Sequence, residues 1–146
     1  MLEFAGRFSN PSLLIKDFKH WAVVFKEQPS TLGQCAFILK RETPDFSSIK
    51  SEEMSEFPEV CKWYETKIKN LYGASKFNYY AVMMKEHFVH FNVYPRYSAP
   101  VNIYNLTWID DGWPKKLIDI KLDFPEETKQ QMIMDLKNKK TETNNQ

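Results

Sequence analysis

One stretch limits the folds open to this chain more than any other. Between residues 51 and 72, Met54, Phe57, Val60, Cys61, Tyr64, Ile68, Leu71 and Tyr72 recur at steps of three and four. That spacing lines them up on one stripe of an α-helix. Glu52 and Glu53 suit the positive end of a helix opening at Ser51, and Gly73 suits its C-terminal stop. Pro58 interrupts the pattern and predicts a kink, or a restart with Pro58 in a first turn.

Strand-type runs stand on both sides of this helix. Residues 21–25 (WAVVF) and 35–39 (CAFIL) are apolar, rich in β-branched and aromatic side chains, and separated by a Pro29 to Gly33 loop. They read as an antiparallel pair. After the helix, residues 77–84 (FNYYAVMM) read as a buried strand and residues 88–94 (FVHFNVY) as the next. Lys85-Glu86-His87 forms the connection, and Pro95 ends the second run. Residues 108–114 (WIDDGWP) read as an aromatic-anchored loop. Pro125-Glu126-Glu127 opens a short C-terminal helix bearing Met132, Ile133 and Leu136. The order predicts an α+β fold: a largely antiparallel β-sheet of about five strands, one long helix and a short C-terminal helix. Residues 1–137 form one domain. Residues 138–146 (NKKTETNNQ) have no apolar side chain and read as a disordered tail.

Composition excludes several classes of function. Twenty basic residues against 19 acidic ones leave a formal charge of +1, so nothing argues for a nucleic-acid or membrane surface. Cys35 and Cys61 make neither a disulfide framework nor a metal-ligand spacing. There is no signal-peptide core, and no apolar run approaches the roughly 18 residues of a membrane span. A cytoplasmic location is expected.

The chemistry-bearing pattern lies in residues 88–94. In a strand, alternate side chains share a face. Phe88, His90, Asn92 and Tyr94 thus point one way, while Val89, Phe91 and Val93 point into a core. His90 and Asn92 stand side by side. The amide can donate to a phosphate oxygen while the imidazole presents a nitrogen to phosphorus. On residues alone, a single strand histidine is more often a hydrogen-bonded structural group.

Four segments in order resemble the histidine-triad (HIT) family. Residues 32–41 (LGQCAFILKR) are similar to the family strand that ends in a basic pair. The helix from Ser51 and residues 77–80 (FNYY) match the elements that follow. Residues 88–97 (FVHFNVYPRY) resemble the signature of alternating histidines. The resemblance spans about residues 13–113 and implies a nucleotide hydrolase or nucleotidyl transferase acting on dinucleoside polyphosphates, phosphoramidates or related adenylates. His90 then stands at the position of the nucleophile that attacks the α-phosphorus. Asn92 and Gln34 would contact phosphate. Lys26 and Gln28 would lie near the ribose, and Phe25 or Trp21 would wall the base pocket.

Four positions that the family usually gives to imidazoles carry Phe88, Asn92, Gln34 and Glu42 here. Gln34 and Asn92 position a phosphate but are no acids near neutral pH. His87 is one residue out of register and would need a β-bulge at Phe88 to join His90. Lys40, Arg41 and Arg96 are tempting phosphate ligands, although a basic pair at a strand end is more often simply solvated. Two readings stay open: an enzyme using His90, and a catalytically weak or inactive nucleotide-binding or protein-interaction module. The residues require no metal or other cofactor, and magnesium would enter only with a polyphosphate substrate. The expected partners are a purine nucleotide or dinucleotide and, by the resemblance, a second copy contacting through the helix and residues 77–84.

Overall fold

The computed structural model of the protein describes residues 2–139. From position 140 the expected tail lies outside the described residues, while Asn138 caps the last helix and its carbonyl accepts the Lys67 ammonium. In chain order the elements are β1 (Leu14–Asp17), β2 (Trp21–Phe25), β3 (Cys35–Leu39), α1 (Ser51–Tyr72), β4 (Lys76–Tyr80), β5 (His90–Arg96), β6 (Val101–Ile103), β7 (Leu106–Trp108) and α2 (Glu126–Lys137). Short 3-10 turns precede β1 and α1.

The main sheet is fully antiparallel, in the order β1-β2-β3-β5-β4. Every residue of β2 and β3 is buried. Their continuous apolar character follows, because both faces of the sheet centre are covered. On one face lies α1. Trp21, Phe37, Phe57 and Phe91 pack there edge-on or tilted, with Phe57 4.8 Å from Phe91 and 4.9 Å from Trp21. Tyr64 adds a contact to Phe37 at 5.2 Å and donates to the Gly33 carbonyl. Burying such rings contributes on the order of 2 kcal/mol each, with some further gain from edge-to-face pairing.

The helix starts where Glu53 accepts the Lys50 backbone N–H, and it stops at Gly73, whose φ of 74° is the left-handed form. Its apolar stripe seats Val60, Tyr64, Ile68 and Tyr72 against the sheet, while Met54 stays 37% exposed. Pro58 sits on the solvent side, and α1 runs through it as one element of 22 residues. The carbonyl that the proline leaves without a donor belongs to Met54, on the exposed first turns.

Strand boundaries differ from expectation at three main points, the first being that β5 begins at His90 rather than Phe88. β4 ends at Tyr80 rather than Met84, because β5 supplies no partner beyond the Asn92–Tyr80 pair. Val82 and Met84 are therefore 51% and 77% exposed. Pro95 lies inside β5, at a point where β5 is paired only to β4 and has already parted from β3. The hairpin β6–β7 was not legible beforehand. Its turn residues Tyr104 and Asn105 both have positive φ, which suits a tight right-twisted hairpin turn.

Two stability predictions follow from this framework. Arg41 donates twice to Glu53 at 2.8 Å and holds that buried carboxyl down to about 2. The stabilisation is complete above the unfolded carboxyl value of 4.5. It fades as pH falls from there through the folded value. Glu53→Gln should lower unfolding free energy at pH 7 by on the order of 1–3 kcal/mol. In urea titrations the gap to wild type should narrow below pH 4.5. Gly33 has φ 84°, and an added Cβ would lie 2.9 Å from Ile68 Cδ1 and 3.1 Å from Tyr72 Cε2. Gly33→Ala should therefore cost about 1–3 kcal/mol in the same measurement.

Candidate functional site

The register of β5 puts Phe91 and Val93 against α1 and His90, Asn92 and Tyr94 on the opposite face. Cross-strand pairing adds Ile38 beside His90 and Ala36 beside Asn92, with Tyr80 opposite Asn92 on the other edge. The predicted alternation of β5 is thus realised. The predicted cleft above it is not. His90 is only 1% exposed. Phe88 lies 5.1 Å from its ring and Phe8 6.3 Å, and Phe4 closes over Phe88 at 5.4 Å. Phe4 and Phe8 belong to the N-terminal 3-10 segment Glu3–Phe8, which turns at Gly6 with φ 57°.

His90 is nevertheless oriented. Its Nδ1 lies 2.9 Å from the Phe88 carbonyl. A carbonyl only accepts, so Nδ1 carries a proton, and in the neutral tautomer the lone pair lies on Nε2. Phe88, which replaces an imidazole, therefore contributes its backbone oxygen to the histidine and its ring to the seal above it.

A cavity of about 350 Å³ opens elsewhere, at the end of β2. Its walls include Phe25, Lys26 and Gln28, the three residues assigned to the nucleoside end from sequence. Glu27, Arg7 and Phe8 join them, and Leu122, Phe124, Glu126 and Lys129 close the far side from the start of α2. His90, Asn92 and Gln34 do not line it. The structure thus separates the six predicted residues into two groups that share Phe8 as a neighbour. Lys129 holds both Glu27 (2.9 Å) and Glu126 (3.3 Å) in ion pairs.

The remaining candidates, Asn92 apart, have structural duties. The Gln34 side-chain oxygen accepts the Ser30 N–H at 2.6 Å, so it closes the β2–β3 loop and is buried. Among the described residues the buried Asn92 Oδ1 has no hydrogen-bond partner. Lys40 pairs with Asp17 and the Phe18 carbonyl, and Arg41 with Glu53. Arg96, 4% exposed at its side chain, is clamped by Asp110, Asn78 and the Lys115 carbonyl. None of these cations waits for a phosphate. His87 points to solvent 3.7 Å from Glu42, and no bulge brings it to His90. Trp21 is core, with its indole N–H on the Glu53 carbonyl.

Reading the sequence alone missed Arg7, Phe8, Glu27 and the Leu122–Lys129 wall. Glu27 lay between two chosen residues and was within reach of the strand-end argument. Arg7, Phe8 and the α2 residues are far from β2 in sequence and carried no local signal.

No protein-family model matches the sequence, and no curated protein is similar to it. Solved structures are similar in fold. A histidine triad protein from Bradyrhizobium japonicum superposes with a TM-score of 0.66 at 13% identity, over 84% of this chain and 86% of that one. A hypothetical histidine triad nucleotide-binding protein from Sulfolobus tokodaii gives 0.64 at 13% identity, over 86% and 80%. The diadenosine triphosphate hydrolase of Plasmodium falciparum, solved with cyclomarin A, gives 0.54 at 16% identity, over 61% and 64%. The chain has the fold of these histidine-triad proteins.

The seal over His90 is testable. Phe8→Ala should raise the rate at which diethyl pyrocarbonate modifies His90 several-fold, read by peptide mass spectrometry. The exposed His87 serves as internal reference. The same change should lower stability by about 3–5 kcal/mol, as for other buried phenylalanines.

Proposed function

We propose that this histidine-triad fold is a divergent member of that family and binds a purine nucleotide in the cavity at the end of β2. The observation that carries the reading is the make-up of that cavity. Its volume of about 350 Å³ is that of a nucleotide site. Phe25, Leu13, Leu122 and Phe124 offer apolar surface to a base, and the Gln28 amide and Glu27 carboxylate offer hydrogen bonds to a base edge and ribose hydroxyls. The strand-end position of Phe25, Lys26 and Gln28 is the one that the family resemblance assigns to the nucleoside.

A second reading keeps His90 as a nucleophile. It is favoured by the Nδ1 contact to the Phe88 carbonyl, which selects the tautomer with its lone pair on Nε2. In that reaction Nε2 forms a bond to the α-phosphorus while the bond to the leaving oxygen breaks. Water then hydrolyses the nucleotidyl-histidine. With Phe8 and Phe88 over the ring, the substrate phosphorus has no approach until the N-terminal segment moves. The geometry accordingly favours binding with slow or absent turnover.

Calorimetry with AMP and ADP tests the first reading. Binding with a dissociation constant in roughly the micromolar range is expected, about −7 to −8 kcal/mol. Glu27→Ala should weaken it about tenfold through the lost ribose contact. Absence of binding by either nucleotide would overturn the reading. Incubation with labelled adenylate followed by an alkaline denaturing quench tests the second. Label retained on wild type but not on His90→Ala would establish the nucleophile, and no label on either protein would leave a binding module.

A further inference from the structure

The unexplained feature of the cavity is its cations. Lys26 leaves β2 half-buried, and its Nζ lies 5.7 Å from the Phe8 ring centroid. The Arg7 guanidinium lies 5.0 Å from the same ring. Among the described residues Lys26 Nζ has no hydrogen bond or ion pair. Of the three carboxylates that line the same cavity, Glu27 and Glu126 are held by Lys129, and Asp123 makes no ion pair with Lys26. Among the described residues Arg7 has a single anionic partner, Glu86 at 3.1 Å. Burial lowers the Lys26 ammonium from its usual value. Arg7, Lys121 and Lys85 lower it further, against Glu86 alone in the other direction.

These four cations come from four separate segments: the N-terminal turn, the end of β2, the β4–β5 connection and the approach to α2. A chain with net charge +1 has no general excess of positive charge to explain the convergence. Arg7, Lys85 and Lys121 are exposed, but Lys26 is half-buried, and a half-buried ammonium facing like charges raises the energy of the fold unless an anion relieves it. The position where the resemblance would place a phosphate does not serve here. His90 is covered by Phe8 and Phe88.

We propose that the phosphate of the bound nucleotide docks against Lys26 and Arg7 on the cavity wall, within the field of Lys85 and Lys121, and not at His90. The site takes a phosphate monoester dianion, as in a nucleoside 5′-monophosphate. It rests on the nucleotide reading of the cavity. Lys26 supplies a donor and full charge, Arg7 a planar pair of donors once it turns from Glu86, and Phe8 an apolar floor that keeps both cations aimed. Phe8 thereby has two roles, shielding the imidazole and holding the cations.

The test compares adenosine with AMP by calorimetry on wild type, Lys26→Gln and Lys26→Arg, at low and at moderate salt. Wild type should prefer AMP to adenosine by tenfold or more, and the preference should shrink with salt. Lys26→Gln should lose most of that preference, AMP affinity falling far more than adenosine affinity, and Lys26→Arg should keep it. Equal loss of both ligands in Lys26→Gln, or an unchanged AMP affinity, overturns the proposal. Equal binding of AMP and adenosine by wild type overturns it while the cavity reading stands. Absence of binding by both ligands overturns the cavity reading itself, and the phosphate site with it.

Discussion

Phe91 is the contact on which the arrangement depends. Its ring is wedged against Phe57 of α1 and Trp21 of β2, at 4.8 and 6.0 Å. Because strand side chains alternate, committing Phe91 and Val93 to the helix face commits His90, Asn92 and Tyr94 to the other. A slip of one residue would bury the amide and the imidazole under α1 and turn the phenylalanine away from Phe57 and Trp21. The aromatic cluster around Phe57 therefore decides not only how the helix sits but which side chains are available to the opposite face.

That opposite face is closed in turn by short, irregular segments. The turn Glu3–Phe8 brings Phe4 and Phe8 over Phe88 and His90. The chain approaching α2 is tied to the β2–β3 loop where Leu122 donates its N–H to the Pro29 carbonyl and Ser30 donates to the Ile120 carbonyl. With the sheet covered from both sides, the remaining space lies at the strand ends. This displaces the cavity from the middle of β5 to the tip of β2.

The charged residues divide by what surrounds them. Lys40, Arg41 and Arg96 sit at strand ends where loops must be anchored, and each has carboxylate and carbonyl acceptors within hydrogen-bond distance. The Arg96–Asp110 pair, nearly fully buried, fixes the loop that follows β7 and receives the Tyr97 N–H as well. Removing either partner would strand a buried charge, so this pair is a structural commitment. Lys26 differs because its surroundings supply cations and an aromatic ring where the others find acceptors.

Much of the architecture was legible without coordinates. The three-four periodicity of residues 51–72 located α1 to the residue at both ends, since a single apolar stripe and a glycine stop are local properties. The apolar runs of β2 and β3 and the alternation of β5 were likewise local. The end of β4 at Tyr80 was not, because a strand lasts only as long as its neighbour, and the run FNYYAVMM carries no record of where β5 begins. The site divided in the same way. Phe25, Lys26 and Gln28 share a strand end, so their convergence on one cavity could be read from the sequence. The burial of His90 could not, because it depends on Phe4 and Phe8, more than 80 residues away, and on a turn at Gly6 that brings them there. Periodicity decided which face each side chain takes; only the folded chain decided what covers that face, because covering is a contact between distant segments and leaves no trace in local spacing.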